Sequence, residues 1–264
     1  MDEKEILVAR FRELSHRAYE RGFSTHTEFL SLSEQNVFLD LLRKENIPLA
    51  KRSYNGAYFT FLGGHEESDR KILLFSPEEM TMEEEKEEEK KILSCLKVTP
   101  KSVKYSDFLT HRDYLGALMH LGYERNNFGD ILTDNTIGYV FLLSRVAEDV
   151  RDNFLKVKHT PVDCEILPIG SCPFVFHFED RTIHLAQNRL DAIVKEAFDL
   201  SRRDSQEKIG KEEVFVDGRA IKDNSYHVKA GERISVRGYG KFLYVGDEKT
   251  TRRNRIATTI RLFR

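Results

Sequence analysis

Two adjacent arginines at a predicted helix start are the residues of this sequence with the clearest chemical potential. Arg202 and Arg203 follow Ser201, a residue type that caps helices, and Asp204 completes a pattern similar to a capping box. The first turn of a helix carries unpaired amides and a partial positive charge, so arginines are disfavoured there. A docked phosphate would reverse that preference, because amides, dipole and guanidinium groups would all face it. The alternative is that both arginines point to water or pair with nearby carboxylates.

The charge of the last third supports a nucleic-acid contact. The whole chain has a net charge of −2, yet residues 181–264 hold 19 Lys and Arg against 12 Asp and Glu, so the remaining residues have a net charge of −9. Such asymmetry between segments is typical of a nucleic-acid-binding module. Chance clustering on a solvated face is the alternative. Further cations could extend the predicted phosphate contact at Arg202 and Arg203 into an RNA-binding surface. They are Arg189, Lys208, Lys211, Arg219, Lys222, Arg252, Arg253 and Arg255. We expect the basic tail to contact phosphate and to carry little sequence information.

The elements that must position these cations are two helices followed by short strands. Residues 189–198 have an apolar stripe at helical spacing, and Ser201 caps the next helix. Residues 214–216, 233–236 and 242–245 have the composition of strands, and Asp217-Gly218 predicts a tight turn.

The middle of the chain predicts a second sheet. Strands are predicted at 92–98, 129–133, 137–142 and 162–167, and helices at 108–121 and 147–155. The order β-α-β-β-α-β is that of the ferredoxin-like arrangement, which the RNA-recognition motif shares. Tyr139 and Phe141 fall on one face of their strand and are candidates for base stacking. The alternative is that both rings belong to the core.

These patterns predict an α+β protein of three small domains. Residues 1–75 combine two helices, the second capped near Ser33, with a hairpin or small sheet. Residues 76–180 hold the RRM-like domain, with an acidic linker or solvated helix at 76–91. Residues 181–264 form the basic domain.

The composition and the absence of several motifs argue against a membrane or exported protein, a disulfide or zinc framework, and several classes of enzyme. No segment has the ~18 consecutive apolar residues of a membrane helix, and the charged N-terminus leads into no signal core. Three cysteines, with no Cys-x-x-Cys pair, favour reduced thiols. There is no phosphate loop or His-Glu-x-x-His site, and His111-Arg112-Asp113 lacks the other kinase motifs, so we expect it to cap and pack a helix. We therefore expect a cytoplasmic monomer with no catalytic residue, metal or cofactor.

The last third also resembles a known domain, the S4 RNA-binding domain, or alpha-L motif. The resemblance lies in Arg189-Leu190-Asp191, Ser201-Arg202, Ile209, Val214-Phe215-Val216-Asp217-Gly218 and Ile234-Ser235-Val236. It implies that RNA is contacted at Arg189, Ser201, Arg202, Arg203 and Lys211. Departures are Ser205, Lys208, Glu212 and Glu213, where the family pattern often has Ala, Leu, Gly and a basic residue. The two glutamates put negative charge near the predicted phosphate face, and Gly210 is expected to end the helix early.

The rest of the chain resembles the YlmH family. The matching segments are residues 28–35, residues 111–118 (HRDYLGAL) and residues 129–132 (GDIL), so the resemblance covers nearly the whole chain. It implies binding of ribosomal RNA and tRNA without catalysis, on large ribosomal subunits that still carry peptidyl-tRNA, in quality control of stalled translation. It also implies a link to cell division through genomic neighbourhood, with division proteins as candidate partners.

Two other functions stay open from the sequence. S4 domains are often attached to pseudouridine synthases, and Asp191 superficially resembles the catalytic aspartate of those enzymes. It lies inside a predicted helix, however, and lacks the Thr-Ser-Gly-type residues that follow in them. The second alternative is a protein-interaction adaptor for division that uses the acidic first two-thirds.

Overall fold

The computed structural model describes residues 2–134, 136–246, 249–251 and 255–263. The chain has mixed α and β structure and separates into two units, residues 1–174 and residues 175–264. The first unit contains the predicted N-terminal domain and the predicted central domain except for residues 175–180, which belong to the second unit. The division into three domains therefore stays a prediction.

Two helices open the first unit. They are α1 (Glu3–Arg21) and α2 (Leu32–Lys44). The cap of α2 is Ser31, two residues before the predicted Ser33, because Glu34 lies three residues after Ser31 and completes a capping box with it. α1 buries Phe11, Leu14 and Ala18 against α2 and the sheet that follows.

A small antiparallel sheet packs on these helices. Its strands are β1 (Thr25–His26), β2 (Ser53–Tyr54), β3 (Ala57–Leu62) and β4 (Ile72–Ser76), in the order β1-β4-β3-β2. The predicted hairpin is present as β3 and β4. Every residue of β4 is buried, because side chains on one face meet the helices and those on the other face meet a second sheet.

The acidic segment forms a surface helix, α3 (Met82–Ile92), which was one of the two predicted alternatives. Thr81 and Glu84 form its capping box, and α3 buries none of its residues. The Glu89 carboxylate accepts hydrogen bonds from the amides of Gly63 and Gly64, so the helix is fixed to the end of β3.

The second sheet of the unit alternates with two helices. In chain order its elements are β5 (Leu93–Pro100), α4 (His111–Met119), β6 (Phe128–Asp134), β7 (Ile137–Leu143), α5 (Ser144–Asn153), β8 (Lys156–Val157) and β9 (Thr160–Leu167). The strands pair antiparallel in the order β6-β7-β5-β9-β8. The sequence of elements is the predicted β-α-β-β-α-β, with β8 added as a short hairpin partner of β9.

The first unit is thus layered helix, sheet, sheet, helix. One face of the central sheet, with Val98, Val140 and Leu142, packs on α4 and α5. The opposite face, with Cys95 and Phe141, packs on the N-terminal sheet. Both faces of the central sheet are therefore covered within the first unit.

The second unit is one antiparallel sheet with two helices on one side. Its elements are β10 (Phe178–Leu185), α6 (Leu190–Ala197), α7 (Arg202–Gly210), β11 (Val214–Val216), β12 (Arg219–Ala220), β13 (Arg233–Val236), β14 (Gly240–Tyr244), β15 (Lys249–Thr250) and β16 (Ile256–Phe263). The strand order is β10-β16-β14-β13-β11-β12, with β15 paired to β16. None of the described helices in either unit combines the length and the apolar character needed to cross a membrane.

Candidate nucleic-acid interface

Two short helices of the second unit carry the predicted RNA contacts. α6 buries Leu190, Ile193 and Val194, and α7 buries Ser205 and Ile209 in the core shared with the sheet. These positions recur every three or four residues, so one side of each helix is buried. The first turn and the outer side of α7 are left to solvent.

The start of α7 has the predicted arrangement. The Ser201 hydroxyl accepts a hydrogen bond from the amide of Asp204 at 3.1 Å and donates to the Asp204 carboxylate at 2.7 Å. Arg202 and Arg203 are exposed in the first turn. Among the residues that the structure describes, neither guanidinium forms an ion pair. The two cations therefore stand at the positive end of a capped helix with no described carboxylate within ion-pair distance.

A buried ion pair ties α6 to α7. Arg189 donates to both carboxylate oxygens of Asp191, at 3.1 and 3.0 Å, and Gln206 of α7 donates to the same carboxylate at 2.9 Å. Burial by itself raises the pKa of Asp191, but the hydrogen bonds from Gln206 and Arg189 outweigh burial and lower that pKa. The carboxylate is therefore ionised, and it holds the two helices at a fixed distance.

A shallow depression beside this ion pair brings three of the predicted arginines together. Arg189, Arg202 and Arg255 line a space of about 450 Å³, together with Lys195. Arg255 is anchored there by a 2.6 Å hydrogen bond to the carbonyl oxygen of His184. The cations belong to two helices and the segment before β16, so only the folded second unit assembles them.

The predicted lysines do not line this depression, although like Arg189 they are paired. Each pairs with a carboxylate: Lys208 with Glu213 at 3.2 Å, Lys211 with Glu207 at 2.5 Å and Lys222 with Glu212 at 2.8 Å. Glu212 and Glu213, which were expected to weaken phosphate binding, are thus matched by cations of the same unit. Arg219 is exposed on β12, away from the residues that line the depression. Arg252 and Arg253, also predicted to contact RNA, lie outside the described residues.

Sequence reasoning missed one exposed aromatic ring near α7. Tyr239 lies in the turn between β13 and β14 and is 47% exposed. The Lys208 ammonium lies 4.6 Å from its ring centroid, and Phe198 packs beside it. Its signal in the sequence is an aromatic residue between two glycines, Gly238 and Gly240.

The predicted base-stacking residues of the central sheet are not accessible. Tyr139 is 6% exposed and Phe141 is fully buried, both in the apolar cluster between the two sheets of the first unit. The Phe141 ring lies 4.9 Å from the ring of His65 and fills the space over Gly64. Both rings therefore belong to the core, and a base-stacking role does not fit this arrangement.

Comparison with known proteins agrees with the resemblance seen in the sequence. Residues 96–171 match a family model described as "Putative RNA-binding domain in YlmH". Over 238 residues the chain is 27% identical to the ribosome-associated protein quality control protein P2 of Bacillus subtilis (strain 168), covering 88% of this chain and 85% of that protein. By these comparisons the chain is similar to YlmH proteins over most of its length. It is also similar to the solved cell division protein ylmH from Streptococcus pneumoniae, with a TM-score of 0.46 and 19% identity, over 64% of this chain and 93% of that chain.

The first part of the YlmH-like central motif has a structural role in this chain. Asp113 closes a capping box with Thr110 and lies 2.9 Å from the Lys158 ammonium. Hydrogen bonds from Thr110 and Lys158 lower the pKa of Asp113 to about 2. The Tyr114 ring fills the space over Gly138, where an added methyl group would lie 2.5 Å from it. Of the triplet that resembles a kinase loop, Asp113 caps the helix as expected, whereas His111 and Arg112 are exposed and the packing comes from the next residue, Tyr114.

The second part of the YlmH-like motif joins the two sheets. A methyl group on Gly129 would lie 2.6 Å from the ring of Phe29, so only glycine lets the strand approach this closely. Asp130 accepts hydrogen bonds from the amides of Asp69 and Arg70, at 2.7 and 3.2 Å. These contacts lock the loop before β4 to β6.

Two departures from the S4 pattern have visible consequences. Gly210 is the last residue of α7, as predicted. Glu212 then adopts a left-handed backbone with a φ of 59°, where the family pattern often has glycine. A non-glycine residue in that conformation costs about 1–2 kcal/mol. Within the described ranges, no three His, Cys, Asp or Glu side chains cluster as a protein-built metal site would require.

Proposed function

We propose that this chain is a YlmH-family protein that binds structured RNA without catalysing a reaction, through an S4 domain in residues 181–264. The observation that carries the proposal is the pair Arg202 and Arg203 at the capped start of α7. Ser201 satisfies the amide of Asp204, which leaves the amides of Arg202 and Arg203 directed at the solvent beyond the helix. A phosphate at this position would accept from those amides and from both guanidinium groups.

The neighbouring cations give the proposed site its extent. Arg189 and Arg255 line the same depression as Arg202, so one RNA strand could place successive phosphates along it. Arg189 is fixed by its bidentate pair with Asp191, and Arg255 by its bond to His184. Fixed cations lose little side-chain entropy on binding, which favours a rigid, structured RNA over a flexible one.

The ribosomal context is supported by the relatives of the chain. The Bacillus subtilis protein that matches over most of both chains is named for ribosome-associated quality control, and the family model is named for RNA binding. We therefore propose that the chain acts in the cytoplasm on ribosomal RNA and tRNA, on large subunits that carry peptidyl-tRNA after translation has stalled.

A pseudouridine-synthase reaction is less well supported. The side chain of Asp191 is 3% exposed, and Arg189 and Gln206 occupy its oxygens. A catalytic nucleophile must be accessible to its substrate. The Asp191 carboxylate is instead buried and hydrogen-bonded between α6 and α7. Mass spectrometry of ribosomal and transfer RNA tests this alternative, and a modified nucleotide that is lost with the protein would establish it.

Co-sedimentation tests the main proposal. Purified protein is mixed with small subunits, vacant large subunits and large subunits carrying peptidyl-tRNA, and the pelleted fraction is measured. We expect pelleting chiefly with the peptidyl-tRNA-carrying large subunits, and a loss of pelleting when Arg202 and Arg203 are both changed to Ala. Equal pelleting with small subunits, or crosslinked reads from messenger RNA alone, would contradict the proposal. Division proteins as partners stay a prediction, which a pull-down that resists ribonuclease would support.

A further inference from the structure

The outer face of the sheet in the second unit carries aromatic rings and cations side by side. The inner face packs on α6 and α7 through residues such as Ile234, Phe242 and Ile260. Because side chains alternate along a strand, Phe178, Arg261 and the other alternate residues of β10 and β16 point to the outer face. Phe178 is 44% exposed.

Two phenylalanines form the centre of this face. Phe178 of β10 and Phe263 of β16 are direct cross-strand partners, with ring centroids 5.2 Å apart and planes at 80°. Phe176 extends the group, with its ring 6.1 Å from that of Phe178 and nearly parallel to it. Phe178 is exposed and Phe263 is half-buried, so a partner that covered both rings would remove apolar surface from water.

Cations surround these rings. The Lys241 ammonium lies 4.7 Å and the Arg233 guanidinium 5.2 Å from the centroid of Phe263, and Arg261 lies 5.8 Å from that of Phe178. Arg261 also pairs with Asp180 at 2.7 and 2.9 Å, so the acidic residue described on this part of the face is neutralised. The cations lie on three strands, β13, β14 and β16, around the rings.

We propose that this face binds unpaired nucleotides of an RNA strand by stacking bases on Phe178 and Phe263. Aromatic rings on a sheet with lysine and arginine around them are the features with which proteins hold single-stranded nucleic acid, since the rings stack on bases and the cations meet the phosphates. A purely apolar partner would match only the rings, whereas an RNA strand matches both features, because its bases can stack and its phosphates can meet the cations. The proposal deepens the proposed RNA binding, because it adds a second contact on the sheet side of the same unit.

A tryptophan reporter tests the stacking directly. The chain contains no tryptophan, so Phe178→Trp in the full-length protein gives a single fluorophore on the face. The probe is a single-stranded oligouridylate of about ten nucleotides, within the site size of such surfaces. We expect saturable quenching of the tryptophan. We also expect Phe178→Leu to weaken binding of a labelled probe about tenfold, which corresponds to about 1.4 kcal/mol.

Matched variants separate stacking from general effects. Phe178→Tyr keeps an aromatic ring and should retain binding, whereas Thr182→Val, on the same strand and face, should leave it unchanged. Absence of quenching, or equal affinity of the Phe178→Leu and wild-type proteins, would overturn the proposal. If the sheet face fails this test but structured RNA still binds, the RNA-binding function proposed at α7 is retained without the second contact. If the single strand quenches but structured RNA and ribosomal subunits do not bind, the sheet face stands and the α7 proposal fails.

Discussion

Changing Arg202 and Arg203 to Ala should have opposite effects on RNA binding and on stability. In the free protein each arginine places a positive charge in the first turn of α7, where the helix dipole disfavours it by about 0.3–1 kcal/mol at low ionic strength. Alanine removes that charge and has the highest helix propensity. The double variant should therefore unfold at an equal or slightly higher urea concentration than the wild type.

RNA binding should weaken, and its salt dependence should fall. Each phosphate contact contributes about −0.7 to −0.9 to the slope of log K against log salt, so loss of two contacts makes the slope less steep by about 1.6. Over a fourfold rise in salt concentration, this difference amounts to about a tenfold change in relative affinity. The affinities of the wild type and the double variant should thus converge as salt rises.

Filter binding or fluorescence anisotropy with a structured ribosomal RNA fragment, over a salt series, measures both quantities. The matched control is Lys211→Ala with Lys222→Ala, which removes two exposed charges of the same unit that are already paired with Glu207 and Glu212. We expect a clearly smaller change of slope in the control. Equal changes in both double variants would show that net charge alone matters and would refute the assignment to the helix start.

Three further perturbations test the first unit. Gly64→Ala should destabilise it by about 3 kcal/mol in urea unfolding, because Gly64 has a φ of 87° and the added methyl would lie 2.3 Å from the Phe141 ring. Asp113→Asn should lower stability at neutral pH. The difference from wild type should shrink as the pH falls below about 4 and vanish only below about 2, since the pKa of Asp113 is lowered to about 2 on folding. Cys172 should be alkylated at lower pH than an ordinary thiol, because a hydrogen bond from Cys95 lowers its pKa, and Cys95→Ala should raise that pH.

Each of these perturbations has an outcome that contradicts it. A Gly64→Ala protein as stable as the wild type would mean that the two sheets are not packed as described. A stability difference for Asp113→Asn that was undiminished at pH 2 would show that the carboxylate acts through packing and not through its charge. An unchanged alkylation profile in Cys95→Ala would exclude the thiol hydrogen bond.

The local features of the second unit could be predicted from the sequence. Helix caps and tight turns depend on a few neighbouring residues, so Ser201 and Asp217-Gly218 were predicted where the structure has them. The depression could not be predicted, because it needs Arg255 beside α6. Strand β16 was missed as well, and its pairing with β10 joins residues more than 70 positions apart. A short alternating segment is a weak signal for a strand, and it does not identify a partner strand that is far away in the sequence.

The central domain shows a second limit of sequence reasoning. The alternation around Tyr139 and Phe141 predicts which residues share a face, and the structure agrees. It does not predict what covers that face. The covering side chains include Phe29, Leu62 and Leu74, which precede the central sheet in the sequence. No pattern around these residues predicts that they pack on Tyr139 and Phe141.

The size of this covered surface decides where the central domain could meet RNA. Among the described residues, ten buried side chains form the cluster between the two sheets. Even at a low value of about 1 kcal/mol for each, separating the sheets would cost about 10 kcal/mol. Stacking two bases on Tyr139 and Phe141 would return only about 2–6 kcal/mol. RNA therefore cannot open this face by stacking alone, so any contact of the central domain must use its helices or its edges, and the aromatic stacking of this protein is better sought on Phe178 and Phe263.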